Sequence, residues 1–137
     1  MGGYGAWKAA LDGSENFGAG AALSGALDLA ASLERHRQEE PEEQAFWNGI
    51  FGSGESVRGS DNDLWELAAE RKASEKEMPR LYAWCGRQDF LYEDNLHTWE
   101  HMKKLGIEVT VKESEGSHTW DCWDEQIRDV LKWWMDR

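Results

Sequence analysis

Residues 1–11, MGGYGAWKAAL, place three glycines within the first five positions, directly ahead of the helix formers Ala, Trp, Lys and Leu. Glycine is unfavourable inside a helix and suits a sharp turn or a close approach of two backbones. The stretch therefore has the texture of a tight junction entering a helix. No nucleophilic side chain stands in front of it, so Met1, Gly2 and Gly3 look like the second half of that junction.

The segments that follow alternate in character. A turn cluster, DGSEN at 12–16, leads into FGAGAALSGAL at 17–27, a small and apolar run. Such a run suits a strand buried on both faces of a parallel sheet, although its alanines would also permit a helix. From Leu29 to about Met78 the composition turns charged and helical, with ERHRQEEPEEQ as its most polar part and FGSGESVRGSDND as a loop. This middle third reads as an excursion covering a sheet.

RLYAWCG at 80–86 is a second compact strand, followed by a loop containing Asp89. The next helix, YEDNLHTWEHMKKLG, sets Tyr92, Leu96, Trp99 and Met102 on one face and ends at Gly106. IEVTVKES alternates apolar Ile107, Val109 and Val111 with polar neighbours, the pattern of a half-exposed strand near a sheet edge. In the last helix Trp123, Ile127, Val130, Leu131 and Trp134 form one apolar stripe that would face the sheet. Helices alternating with strands in this order make a parallel α/β sheet.

Composition narrows the function. The 137 residues carry a formal charge of −12, which repels phosphate backbones and argues against nucleic acid as a partner. Neither a membrane span nor a secretion signal stands in the sequence, so the expectation is no membrane partner and the cytoplasm as the default location. Cys85 and Cys122 fit neither a disulfide-rich scaffold nor a CxxC motif. Reduced thiols are the default, with a single bridge between them left open. Nine tryptophans favour a Trp-rich core, or an aromatic cleft edge where indole N–H groups find partners.

Reactive groups of an open α/β sheet collect in loops at the carboxyl ends of its strands. Asp89 and His118 both occupy such loops, an acid and then a histidine. An α/β-hydrolase needs a serine on a G-x-S-x-G elbow, then an acid, then a histidine. Against that pattern Met1 is the residue after the serine and Gly2 the final glycine, which puts the nucleophile immediately before Met1. The stretches MGGYGA, CGRQDFLYEDN and EGSHTWDCWD together resemble the carboxyl-terminal half of the α/β-hydrolase family that includes tributyrin esterases and S-formylglutathione hydrolases. The likeness is weakest between Ala30 and Met78.

The resemblance implies about three parallel strands with flanking helices, making residues 1–137 a partial α/β-hydrolase domain with an excursion at 30–78. It also implies Asp89 as triad acid, His118 as general base and the Met1 backbone N–H as an oxyanion-hole donor, beside elbow glycines Gly2 and Gly3. The implied substrate is a small ester with a short acyl group, and no cofactor or metal is required. Lacking the nucleophile, these residues alone would be inactive. Their inner sheet edge would be bare, which favours oligomers.

Three rivals are weaker. His97-Thr98-Trp99-Glu100-His101 fits the H-x-x-E-H pattern of zinc peptidases, but both histidines fall opposite the apolar helix face and would point to solvent. Cys122 as a thiolate nucleophile sits in acidic, aromatic WDCWD, which disfavours ionisation. Ser24 is no elbow serine, because position 22 is alanine. A last alternative is a non-enzymatic interaction module derived from a hydrolase.

Overall fold

The computed structural model describes residues 1–12, 15–39 and 41–136. Gly13 and Ser14 of the expected turn and Glu40 of the acidic run lie outside the described residues. Three strands, β1 (Ala19–Leu23), β2 (Arg80–Gly86) and β3 (Val109–Ser114), form one parallel sheet in the order β1-β2-β3. Ala21 lies beside Tyr82, and Tyr82 beside Thr110.

The central strand explains its own composition. Leu81, Ala83 and Cys85 point to one face of the sheet and Tyr82 and Trp84 to the other, and all five are buried. A strand covered on both sides has no solvent face to mark with polar residues, so RLYAWCG shows no alternation. β3 at the edge alternates in sequence but not in burial: Val109 and Thr110 are half-buried, and Val111 remains exposed with Lys112 and Glu113. Ile107 is buried just ahead of the strand rather than within it.

Helix α1 (Gly2–Leu11) packs on β1 through Gly3, where an added Cβ would meet the Ala22 Cβ and the Gly25 Cα at 3.0 Å. Gly2 and Gly5 have open space instead, so Gly3 carries the close approach. Trp7 of α1 is fully buried and donates its indole N–H to the Tyr82 carbonyl at 3.0 Å. On the opposite face lies α7 (Trp120–Met135), covering Tyr82 and Trp84.

Between β1 and β2 the chain makes α2 (Leu29–Glu39), a 3-10 turn (Pro41–Glu43), α3 (Gln44–Phe51), α4 (Gly54–Val57) and α5 (Leu64–Ala73). Charged pairs dock this segment. Arg58 reaches both buried Asp28 and buried Asp63, while Arg35 and Ser32 of α2 bind buried Asp94 of α6 (Tyr92–Lys104). Trp65 adds a hydrogen bond to Thr98 at 3.0 Å. Breaking one member of such a pair strands the other in a poorly solvated place, so these contacts fix where the segment sits.

Two helix faces differ from their sequence patterns. In α6 the buried set is Asp94, Asn95, Thr98, Trp99 and Met102, while Tyr92 and Leu96 are half-buried. The polar members are buried because partners await them: Asn95 Nδ2 donates to the Gly25 carbonyl at 2.9 Å, and Thr98 accepts from Trp65. In α7 the sheet takes Cys122, Trp123, Val130 and Trp133. Ile127, Leu131 and Trp134 are left 42%, 54% and 48% exposed.

Tryptophan also divides differently from a simple core. Trp7, Trp84 and Trp99 are buried, Trp47, Trp65, Trp123 and Trp133 are half-buried with their indole N–H groups on polar partners, and Trp120 and Trp134 are exposed. Both cysteines are free. Among the described residues no helix is long and apolar enough to cross a membrane.

Candidate active site

The loop after β2 is short and tightly bonded. The Asp89 N–H donates to the Gly86 carbonyl at 3.0 Å, and its carboxylate accepts the Leu91 N–H at 2.9 Å ahead of α6. Aspartate suits this place because its short side chain folds back onto the following backbone. The loop after β3 runs alongside. Gly116 donates its N–H to the Gln88 side chain at 2.6 Å and accepts the Gln88 N–H at 3.0 Å, and Arg87 pairs with Glu113 and Glu115.

This clasp brings the two sequence-identified groups together. His118 Nδ1 lies 3.0 Å from Asp89 Oδ2 and 3.2 Å from Oδ1. The Asp89 side chain is fully buried, and the His118 side chain is 33% exposed. A carboxylate on Nδ1 fixes the tautomer that leaves Nε2 free to take or give a proton. The ring stands between Phe90, at a centroid distance of 4.7 Å, and Trp123, at 4.8 Å.

A cleft of about 280 Å³ opens beside the ring, lined by Met1, Leu29, Leu33, Trp47, Phe90 and Leu91 together with polar Arg35 and His36. Met1 caps the start of α1, so the first-turn backbone of that helix and His118 share one cleft. Gly2 follows Met1 there, and Gly3 holds the helix start against β1.

The histidines of the H-x-x-E-H stretch sit elsewhere, on α6. His97 is exposed, but His101 is half-buried, stacked on Trp65 at 4.1 Å with a 12° interplanar angle, and burial pulls its pKa down. The expectation that both face solvent is therefore corrected at His101. The excursion supplies Trp65, which no pattern within the helix announces. No cluster of three metal-ligating side chains occurs among the described residues. Cys122 is half-buried against Tyr82 and Trp84, and its sulfur accepts the Thr119 hydroxyl at 3.3 Å, while burial, and secondarily Asp89, pushes the thiol of the other cysteine, Cys85, up to about 12. Ser24 follows β1 with a left-handed backbone, φ 51°, but it is 3% exposed and its hydroxyl accepts the Trp123 indole N–H.

Sequence reasoning missed Gln88, Arg87 and the aromatic walls Phe90 and Trp123. The first two become meaningful only once β2 and β3 are neighbours in register, which brings the Arg87 side chain within reach of Glu113 and Glu115.

Comparison with known proteins bears on the fold that carries these loops. The chain is 34% identical over 135 residues to an acetyl esterase of Caldicellulosiruptor saccharolyticus, covering 97% of this chain and 51% of that protein. It superposes on S-formylglutathione hydrolase of Staphylococcus aureus with a TM-score of 0.79 and 28% identity, over 97% of this chain and 50% of that one. The chain has the α/β-hydrolase fold. It matches a carboxyl-terminal part of an esterase family. A fluorophosphonate-binding serine hydrolase F of Staphylococcus aureus gives a TM-score of 0.78 at 30% identity, over 96% of this chain and 49% of that one. The chain thus spans about half the length of these relatives, and no protein-family model matches it.

Proposed function

We propose that this chain supplies the acid and the base of a serine carboxylester hydrolase acting on short acyl esters. The observation that carries the proposal is the Asp89–His118 contact at 3.0 Å, beside Met1 in one cleft. Residues 1–137 would be part of a larger hydrolase domain. The nucleophile would be a serine on the residue before Met1, the Met1 peptide N–H would face the oxyanion, and Gly2 and Gly3 would complete the elbow.

In that arrangement His118 Nε2 takes the serine proton as the oxygen attacks the ester carbonyl carbon. The tetrahedral oxyanion collapses, His118 returns the proton to the departing alkoxide, and an acyl-enzyme remains. Water then repeats the cycle: His118 accepts its proton, hydroxide adds to the acyl carbon, and serine leaves protonated. Asp89 stabilises the imidazolium throughout. A cleft of about 280 Å³ walled by Trp47 and Leu33 suits a small acyl group, as does the name of the acetyl esterase relative.

The coding sequence upstream of the Met1 codon tests this first. An in-frame stretch ending Gly-x-Ser is the expected result, and a stop codon there defeats it. The purified 137 residues should show no saturable hydrolysis of p-nitrophenyl acetate and no labelling by a fluorophosphonate. Saturable turnover lost on His118→Ala would contradict that inactivity.

A second reading is an interaction module, favoured by exposed Ile127, Leu131, Trp134 and Met135 on α7 and by β1, which has a strand neighbour on one side only among the described residues. An unpaired edge and an apolar helix face both favour self-association. The 137 residues alone should elute from a sizing column as oligomers; a monodisperse monomer would count against it.

A further inference from the structure

We infer that Trp123 is a positioning residue for the His118 ring, and that Ser24, 99 positions away in the chain, sets it through the hydrogen bond between their side chains. The consequence for turnover rests on the esterase reading above; the geometry does not.

Among the described residues His118 has one polar anchor, the Asp89 carboxylate on Nδ1. One hydrogen bond fixes where that nitrogen sits and leaves the ring free to swing about it. Something must then set the plane of the ring and hence the direction of Nε2. Phe90 touches the ring at 44° but is itself 67% exposed, a wall with little behind it. Trp123 stands perpendicular to the ring, at 89°. That edge-to-face arrangement is a preferred one for aromatic pairs, and it is directional.

Trp123 can hold a direction because it is held. Its ring packs with Tyr82, Trp84 and Val130 between α7 and the sheet, and its Nε1–H donates to Ser24 Oγ at 3.0 Å. Ser24 is rigid in turn. It is buried, and its N–H donates to the Trp84 carbonyl at 2.8 Å.

The backbone at Ser24 sharpens the inference. Its φ of 51° is a conformation that glycine adopts without steric cost and serine adopts with strain. Glycine would satisfy the turn, so the hydroxyl serves something other than the turn. The Trp123 indole is the aromatic group it holds, and that indole packs on His118.

Ser24→Gly separates positioning from stability, because it removes the hydroxyl while relaxing the backbone. Nitrogen-15 NMR of the histidine-labelled chain would follow the His118 Nδ1–H resonance and its exchange with water. The expected result is a melting temperature no lower than that of the unsubstituted chain, with Nδ1–H exchange faster by roughly fivefold, the scale of one lost hydrogen bond. Trp123→Phe, which keeps a ring but has no N–H, should shift exchange in the same direction. Exchange unchanged in both variants would overturn the inference while leaving the Asp89–His118 pair standing. An unsubstituted chain whose His118 shows no hydrogen-bonded Nδ1–H would overturn the pairing, and the positioning role with it.

Discussion

His118→Ala, made in the polypeptide that carries the serine, should lower kcat for a short ester by about a millionfold with little change in KM. In the proposed role, His118 is the group at the Asp89 contact placed to move a proton, since the carboxylate engages Nδ1 and leaves Nε2 for the substrate side. Asp89→Asn should cost about ten-thousandfold, because an amide can donate to Nδ1 and so present the wrong tautomer. Binding should persist in both variants, since Trp47, Leu29 and Leu33 line the cleft without touching the proton path. The Asn variant should also fold. It keeps a side-chain oxygen able to accept the Leu91 N–H, so the start of α6 retains its bond. Steady-state kinetics with p-nitrophenyl acetate would check the pair of values. Rates within tenfold of the parent for both variants would remove Asp89 and His118 from the chemistry.

How much of this was legible in the sequence depends on where the deciding partner lay. The β2 strand and the loops holding Asp89 and His118 could be read locally, because a two-face-buried strand, a turn-forming aspartate and chain order all leave marks within a few residues. The packed face of α7 could not. Trp123 and Val130 were read correctly onto the sheet. Trp133 was missed because it was chosen by distant residues: Arg80 lies 4.5 Å above its ring, and Thr110 accepts its N–H at 3.1 Å. On an amphipathic helix with overlapping apolar stripes, the surface beneath decides which stripe is buried.

The same holds for α6. Tyr92 and Leu96 looked like the core side, yet Asp94, Asn95 and Thr98 are more deeply buried. Each finds a partner in a segment more than thirty positions earlier in the chain: Asp94 in Arg35 and Ser32, the Asn95 Nδ2 in the Gly25 carbonyl, and Thr98 in Trp65. Hydrophobicity predicts burial only when polar groups lack partners, and partners supplied by tertiary structure leave no local trace.

Gly86→Ala should be the most damaging single-methyl substitution in the site, and it tests whether the loops carrying Asp89 and His118 are held together by contact rather than by chance proximity. A Cβ on Gly86 would lie 2.2 Å from the Gly116 oxygen and 2.4 Å from its carbonyl carbon. Both are backbone atoms, so no rotamer change relieves the clash, and the loop carrying His118 must move. That movement would pull on the Gln88 N–H bond to the Gly116 carbonyl and on the Gln88 side-chain bond to the Gly116 N–H. His118 follows Gly116 by two residues, so a shift of several tenths of an ångström there lengthens the contact with Asp89. Overpacking of this kind costs about 1–3 kcal/mol, and broken hydrogen bonds add about 1 kcal/mol each. Gly5→Ala is the matched control: it stands in α1 with nothing within 4 Å of the added methyl, and it should leave stability unchanged or raise it by about 0.5–1 kcal/mol. Thermal melts of both variants, with the His118 Nδ1–H resonance as a second readout, distinguish the outcomes. A Gly86→Ala chain that melts with the parent and keeps that resonance would mean that the loops tolerate separation. Loss of the resonance together with a lower melting temperature is expected, because the close approach of Gly86 to Gly116 is what brings the β3 loop within reach of the β2 loop.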